Sequence, residues 1–292
     1  MASDRLAIGV LTHRRPVEFA ALLGKLAKQD IPSEAEVHFI FVENDNHITV
    51  HQTVSDFNSK IRRGGVTSTL EIQPEHGISR ARNRVLDIAS RIGADYLIQI
   101  DDDDLPVAEN WISRLYQGCK DQGLNVGHGI NLYPDNRKPS KHELLYPGSN
   151  VIFEMAFLRQ SRVRYNVNLP VEESVQFGVE CVAKGAEVGE IKDAIVQIGG
   201  SERFESAMFR FKRAQRKGMV KHGFHFRHMH VSNFDSIRTP AVVTFKLLAA
   251  ILNLLLAVLF VPGAVIRAAT NAGEVVGAIR GSLPGEQISP GE

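Results

Sequence analysis

Four consecutive aspartates, Asp101–Asp104, close the apolar stretch Tyr96–Ile100. Carboxylates crowded at the end of a buried-type strand repel one another unless a cation joins them. Hard divalent ions such as Mg²⁺ or Mn²⁺ take oxygen ligands, and Mg²⁺ typically uses one or two carboxylates plus substrate phosphates. On an extended segment the D-x-D spacing turns Asp101 and Asp103 to one side. The pattern predicts a metal–diphosphate site, against the plainer reading of a solvated acidic loop. Three other clusters carry suitable groups. Glu43-Asn44-Asp45-Asn46 offers carboxylates for a base N–H or ribose hydroxyls, or else only an Asx-rich turn. His76–Asn83 opens a helix, with Ser79 as its cap; its N-terminus favours negative charge, and Arg80 or Arg82 adds a guanidinium near phosphate. Glu172-Glu173, after Pro170, offers a general base for a hydroxyl, or simply acids that suit a helix N-terminus.

The elements that must position these groups are legible as alternating periods. Leu6–Leu11, Val37–Val42, Ser68–Ile72 and Tyr96–Ile100 have strand character. Between them, Phe19, Leu22, Leu23 and Leu26, then Val50, Val54, Phe57 and Ile61, then Ala81, Val85, Ile88 and Ile92, recur at helical spacing. Such βαβ alternation predicts an α/β fold with a mixed, mostly parallel sheet flanked by helices. Ligands bind beyond the carboxyl ends of such strands, which places Thr12-His13, Glu43–Asn46, Gln73–Gly77 and Asp101–Asp104 on one rim. Further on, Val126–Leu132 is a strand and Gly148-Ser149-Asn150 a turn before the apolar segment Val151–Leu158. Glu173–Lys184 is a helix with Phe177 and Cys181 on one face and Gly185 at its end, and Ile191 and Ala194–Ile198 are short strands.

Composition narrows the function. The 292 residues carry a formal net charge of +1, which argues against a dedicated nucleic-acid binder. Two cysteines, Cys119 and Cys181, suit a reducing compartment, and the start MASDRLAIGVLTH lacks a signal-peptide pattern. The phosphate loop, the dinucleotide fingerprint, H-E-x-x-H and G-x-S-x-G are all missing from the sequence. The charge balance hides a basic segment, Arg203–Arg227, where Glu205 alone opposes eight Lys or Arg. His222, His225, His228 and His230 crowd its end, as metal-ligand candidates or as residues facing solvent or anionic lipid. Leu247–Ile266 is an uncharged apolar run near bilayer-spanning length, weakened by Asn253 and Pro262-Gly263. With the basic segment before it, the run predicts membrane association, by spanning or by partial insertion. The expected division is a catalytic domain over 1–200, a basic helical segment over 201–240, an apolar membrane-associated helix or hairpin over 241–270 and a flexible tail over 271–292.

These residues, in order over about two hundred positions, resemble family 2 glycosyltransferases with the GT-A (Rossmann-like) fold. Thr12-His13-Arg14-Arg15-Pro16 resembles the family's T-x-x-R-P-type turn, and Glu43–Asn46 its acidic nucleotide-contacting turn, with Glu43 where aspartate is commoner. Gly77–Asn83 resembles the G-x-x-x-A-R-N signature, and Tyr96–Asp104 the strand and D-x-D metal motif. Gly148-Ser149-Asn150 resembles a small-residue turn near the acceptor, and Glu172-Glu173 the E-D pair, with Glu173 replacing the usual aspartate base. The helix motif A-R-N-x-x-L-D and the basic segment are similar to bacterial exopolysaccharide (succinoglycan-type) enzymes. The Q-x-x-R-W motif of processive synthases is missing, which favours single-sugar transfer.

The resemblance implies an inverting transfer from a nucleotide sugar, UDP-hexose first, to a saccharide or polyprenyl-diphosphate-linked acceptor. It implies Mg²⁺ or Mn²⁺ on Asp101 and Asp103, and Thr12, Glu43, Asp45, Arg82, Asp101 and Asp102 around the donor. Glu173 or Glu172 would be the base, and the enzyme would work at the cytoplasmic face of the inner membrane, in contact with lipid. The alternatives are a nucleotidyltransferase of similar architecture and a non-catalytic glycan- or lipid-binding protein.

Overall fold

Alternate side chains of the central strands go to opposite faces of one sheet, and this fixes the layers. In a computed structural model of the chain, described for residues 3–61, 65–133, 148–169 and 173–199, Leu6, Ile8 and Val10 of β1 (Asp4–Thr12) lie in one core. Ala7 lies in the other. In β2 (Ala35–Glu43), Val37, Phe39 and Phe41 go one way and Ile40 and Val42 the other. Strands buried on both faces need helices on both, which is what the alternation of elements supplies. The first core is covered by α1 (Pro16–Leu26), α2 (His51–Lys60) and α4 (Trp111–Asp121), through Phe19, Leu22, Phe57, Trp111 and Leu115. The second is covered by α3 (Ile78–Arg91), α5 (Met155–Ser161) and α6 (Glu173–Ala183), through Ala81, Val85, Ile88, Leu158 and Phe177. At Gly9 a Cβ would collide with the Val85 side chain, so glycine there lets α3 lie close on β1.

The remaining strands are β3 (Val66–Ile72), β4 (Tyr96–Asp101), β5 (Leu105–Pro106), β6 (Val126–Leu132), β7 (Val151–Glu154) and β8 (Val188–Gln197). Their order is β3-β2-β1-β4-β7-β6-β8-β5. The first four in that order are mutually parallel. β7 runs antiparallel to both β4 and β6, β6 and β8 are parallel, and β5 is antiparallel to β8. The sheet is therefore mixed, with its parallel half built from the four strands and three intervening helices that the periodicity predicts.

Three local expectations need correcting. Ser79 is not the cap of α3. That position belongs to Gly77, at φ 137°, a conformation open to glycine, whose carbonyl accepts from the Arg80 and Ala81 amides. Ser79 lies inside the first turn with its hydroxyl buried. The apolar segment Val151–Leu158 is two elements, β7 and α5, with Glu154, the one charged residue in it, ending the strand and standing at the helix N-cap. Ile191 and Ala194–Gln197 belong to one strand, β8, with Ile198 just past its end, and the strand shifts register against β6 between His128 and Ile130.

Apart from residues 168 and 169, the described chain is one compact unit, 1–167 with 173–201. The boundaries expected at 200, 240 and 270, the basic segment, its histidines, the apolar run and the tail lie outside the described residues. Among the described residues no helix is long and apolar enough to cross a membrane.

Candidate active site

Parallel pairing in near-zero offset brings the strand ends level. Thr12 is paired with Glu43, Glu43 with Ile72, and Leu11 with Asp101. The Asn44 amide donates to the Thr12 carbonyl (2.9 Å) and the Gln73 amide to the Glu43 carbonyl (2.8 Å), so the loops leave the sheet side by side. The polar clusters of the first hundred residues thus share one rim.

The aspartates do not continue the strand as an extended segment. The chain turns after Asp101, and the Asp104 amide donates to the Asp101 carbonyl (3.2 Å). The turn nevertheless leaves Asp101 and Asp103 partly exposed and buries Asp102 and Asp104. Burial raises Asp101 above the usual carboxylate range, with Asp103 and Glu173 adding to the effect and Arg82 opposing it. Burial pushes Asp102 up to about 6 against the help of Thr12 and Arg15. It pushes Asp104 up to about 7, with repulsion from Asp101 and despite bonds from Ser149 and the Gly199 amide.

Two arginines answer these acids. Arg15 Nη1 lies 2.6 Å from Asp103 Oδ2 and 3.1 Å from Asp102 Oδ1. Arg82, its side chain 3% exposed, places Nη2 3.2 Å from Asp101 Oδ1 and Nη1 3.3 Å from Glu173 Oε1. Burial works against the Arg82 charge, but Asp101 and Glu173 more than offset it and raise its pKa. One guanidinium therefore holds the first aspartate, at the end of β4, and the predicted base, at the start of α6, in a single cluster. Tyr165 fixes its far side, with the guanidinium 5.4 Å over a ring that also stacks on Phe177. Gly148 leaves the room: a Cβ there would come within 2.9 Å of Arg82 Nη2. Ser149 Oγ lies 3.0 Å from the Asp101 amide, and Asn150 Oδ1 accepts from Trp111 Nε1 (2.8 Å), so the small-residue turn ties β4, β6 and α4 together.

The nucleotide side of the rim divides its two acids. Glu43 is fully buried, and its carboxylate accepts from the Thr49 amide (2.6 Å), the Thr49 hydroxyl and the Val50 amide (3.4 Å). It anchors the entry to α2. Asp45 lies farther out, bound by Arg14 Nε (2.7 Å) and the Asn46 amide (2.7 Å), and these bonds lower its pKa to about 2. His13 Nδ1 is hydrogen-bonded to the Asn44 carbonyl (2.7 Å), and its ring meets His76 edge-on at 5.3 Å.

Thr12, Glu43, Asp45, Arg82, Asp101, Asp102, Asp103 and Glu173 are all on or just beneath this rim; Glu172 lies outside the described residues. Arg14, Arg15 and Tyr165 join the site without having been singled out for it. Arg15 stands in the T-x-x-R-P-type turn, but its partners are 87 and 88 positions away, a relation that periodicity does not carry. Five carboxyl groups, Asp101–Asp104 and Glu173, cluster at this rim with two guanidinium groups, Arg15 and Arg82. This surplus of hard oxygen donors fits a divalent cation. Among the described residues no three His, Cys, Asp or Glu side chains converge as a metal-holding set, so at most two carboxylates are offered. Mg²⁺-type sites are commonly completed by substrate phosphates and water.

No family model matches the chain, and no curated protein matches it. Solved structures do. TarS from S. aureus is similar at 14% identity and TM-score 0.57, over 94% of this chain and 55% of that one, so the chain spans about half of that structure. TarS 1-349 in complex with UDP-GlcNAc is similar at 15% identity and TM-score 0.56, over 94% of this chain and 91% of that one. The mannosyltransferase PcManGT from Pyrobaculum calidifontis, in complex with GDP-Man and Mn2+, is similar at 14% identity and TM-score 0.63, over 97% and 88%. Both neighbours are of the GT-A type, and this chain has the GT-A fold.

Proposed function

We propose that this chain is a divalent-metal-dependent, inverting, non-processive glycosyltransferase. It moves one sugar from a nucleotide sugar, UDP-hexose first, to a hydroxyl of a saccharide or polyprenyl-diphosphate-linked acceptor in bacterial polysaccharide synthesis. The observation that carries this reading is Arg82, which gathers Asp101 and Glu173 beside the rim acids. Neighbours of the same fold in complexes with UDP-GlcNAc, or with GDP-Man and Mn2+, support a nucleotide-sugar donor and a metal.

In this reading Thr12, Asp45 and the 43–46 turn receive the nucleotide, and Asp101 and Asp103 hold the cation. When bound, that ion supplies positive charge to the departing diphosphate. Glu173 takes the proton of the acceptor hydroxyl as its oxygen bonds to the anomeric carbon. The bond from that carbon to the diphosphate oxygen breaks, and the nucleoside diphosphate leaves with the electron pair. Arg82 orients Glu173 for this step. The uncharged run Leu247–Ile266 and the basic segment before it support membrane association, with the catalytic part on the cytoplasmic side in this reading.

The test is a panel of UDP- and GDP-hexoses with Mn²⁺ and both acceptor classes, scored for nucleoside diphosphate and glycosylated product. Turnover should be lost in Glu173→Gln with donor binding kept. Asp103→Asn should fall by about 100-fold or more, since metal stabilisation of the leaving group is worth several kcal/mol. Pyrophosphate release would instead identify a nucleotidyltransferase, and donor binding without turnover a binding protein.

A further inference from the structure

The turn after β1 carries three cationic or hydrogen-bonding side chains in a row. His13 and Arg14 serve the Asn44–Asp45 side, and Arg15 serves the aspartate side. The backbone of this turn is held tightly. Arg14 sits at φ 54° and Pro16 opens α1, so Arg15 is fixed at the helix entry while its side chain remains 26% exposed. Its Nη1 is 2.6 Å from Asp103 Oδ2. A divalent ion bonds carboxylate oxygens at roughly 2.0–2.2 Å. An ion on that oxygen would stand beside a guanidinium nitrogen of like charge, and with both side chains only partly exposed water screens the repulsion incompletely. The two cations compete for one carboxylate.

We propose that Arg15 is a resident counter-ion that keeps Asp103 from binding a divalent cation alone and couples metal entry to nucleotide entry. The proposal rests on the reading of Asp103 as a metal ligand. Released from Asp103 and Asp102, the guanidinium has a suitable new partner in a diphosphate, which it binds in the same forked geometry as a carboxylate. Arg15 would then leave Asp103 and Asp102 for the diphosphate, so that metal and nucleoside diphosphate would enter together. Because such coupling is reciprocal, each of the two ligands tightens the other.

The test is Mn²⁺ binding to the full chain, followed by the electron paramagnetic resonance of free Mn²⁺, without nucleotide and with UDP or GDP. Wild type, Arg15→Gln, Arg15→Lys and Asp103→Asn are compared, after thermal melts show each to be folded. Arg15→Gln should bind Mn²⁺ alone about tenfold more tightly than wild type, since a competing charge is removed. The further gain on adding nucleotide should shrink in that variant, and Arg15→Lys should stay near wild type. The proposal is overturned if Arg15→Gln binds Mn²⁺ no more tightly than wild type while Asp103→Asn loses binding, an outcome that leaves the metal reading standing. If Asp103→Asn binds Mn²⁺ like wild type, the metal reading itself fails and the proposal fails with it.

Discussion

Replacing Arg82 by methionine keeps much of the side-chain volume and removes the charge. Two carboxylates, Asp101 and Glu173, then lose the guanidinium that lies within 3.3 Å of both. Taking one partner from a buried ion pair costs about 3–5 kcal/mol, because the charge left behind keeps its desolvation penalty. Asp101 is 35% exposed at its side chain and is partly screened, so the lower end of that range applies, about 3 kcal/mol. At ~2–4 °C per kcal/mol for a chain of this size, the melting temperature should fall by about 6–12 °C.

The cost should not add across the cluster. In Glu173→Gln the Arg82–Asp101 pair survives, and in the Arg82→Met/Glu173→Gln double variant one of the two stranded charges is gone. The double variant should therefore be more stable than the sum of single effects by roughly 1–3 kcal/mol. Urea unfolding of the four proteins in EDTA at constant pH measures this coupling. An Arg82→Met melt within 2 °C of wild type, or strict additivity in the cycle, would refute the assignment of Arg82 as the joint of the site. On activity, Arg82→Met should lower turnover more than donor affinity, since it frees the base rather than the nucleotide contacts.

Two further outcomes follow from the same geometry. Asp104 holds its proton in the fold up to about 7 but releases it near 3.8 when unfolded, so between these values the folded state binds more protons. Stability of the metal-free protein should fall as pH rises from about 4 to 7, at up to about 1.4 kcal/mol per pH unit, and Asp104→Asn should flatten that fall. Superimposable wild-type and variant profiles in EDTA would rule the effect out. Glu43→Asp supplies the residue commoner in the resembling family, yet the shorter side chain loses its reach to Thr49 and Val50. It should destabilise by about 1–2 kcal/mol, read as a lower urea midpoint with unchanged slope; an unchanged midpoint would remove the anchoring role.

The parallel half of the sheet was legible because its central strands β1, β2 and β4 are buried on both faces and its helices on one. Apolar-rich runs at Leu6–Leu11 and Val37–Val42, the second interrupted only by His38, and helical stripes such as Phe19-Leu22-Leu23-Leu26, admit few other arrangements. The rim followed from that topology, since parallel βα units deliver every strand end to the same edge. The later elements were harder: in Val151–Leu158 a single Glu154 stands at the change from β7 to α5 and does not by its type tell a strand end from a helix start, and β8 is one strand only because β6 offers it a partner past a register shift.

Within the site, residue type and order were enough to pick out the acids, but not their duties. Glu43 and Asp45 look alike along the chain, and only their partners separate them: Thr49 and Val50 make Glu43 the anchor of α2, while Arg14 and the Asn46 amide hold Asp45 at the rim. Arg82 is one of four arginines in the helix Ile78–Arg91, and its function as the bridge between Asp101 and Glu173 depends on residues 19 and 91 positions away. Periodicity reports which face of an element is buried. Which charges meet across the cleft is decided by the folded sheet, because ion pairs are set by distance in space and carry no period in sequence.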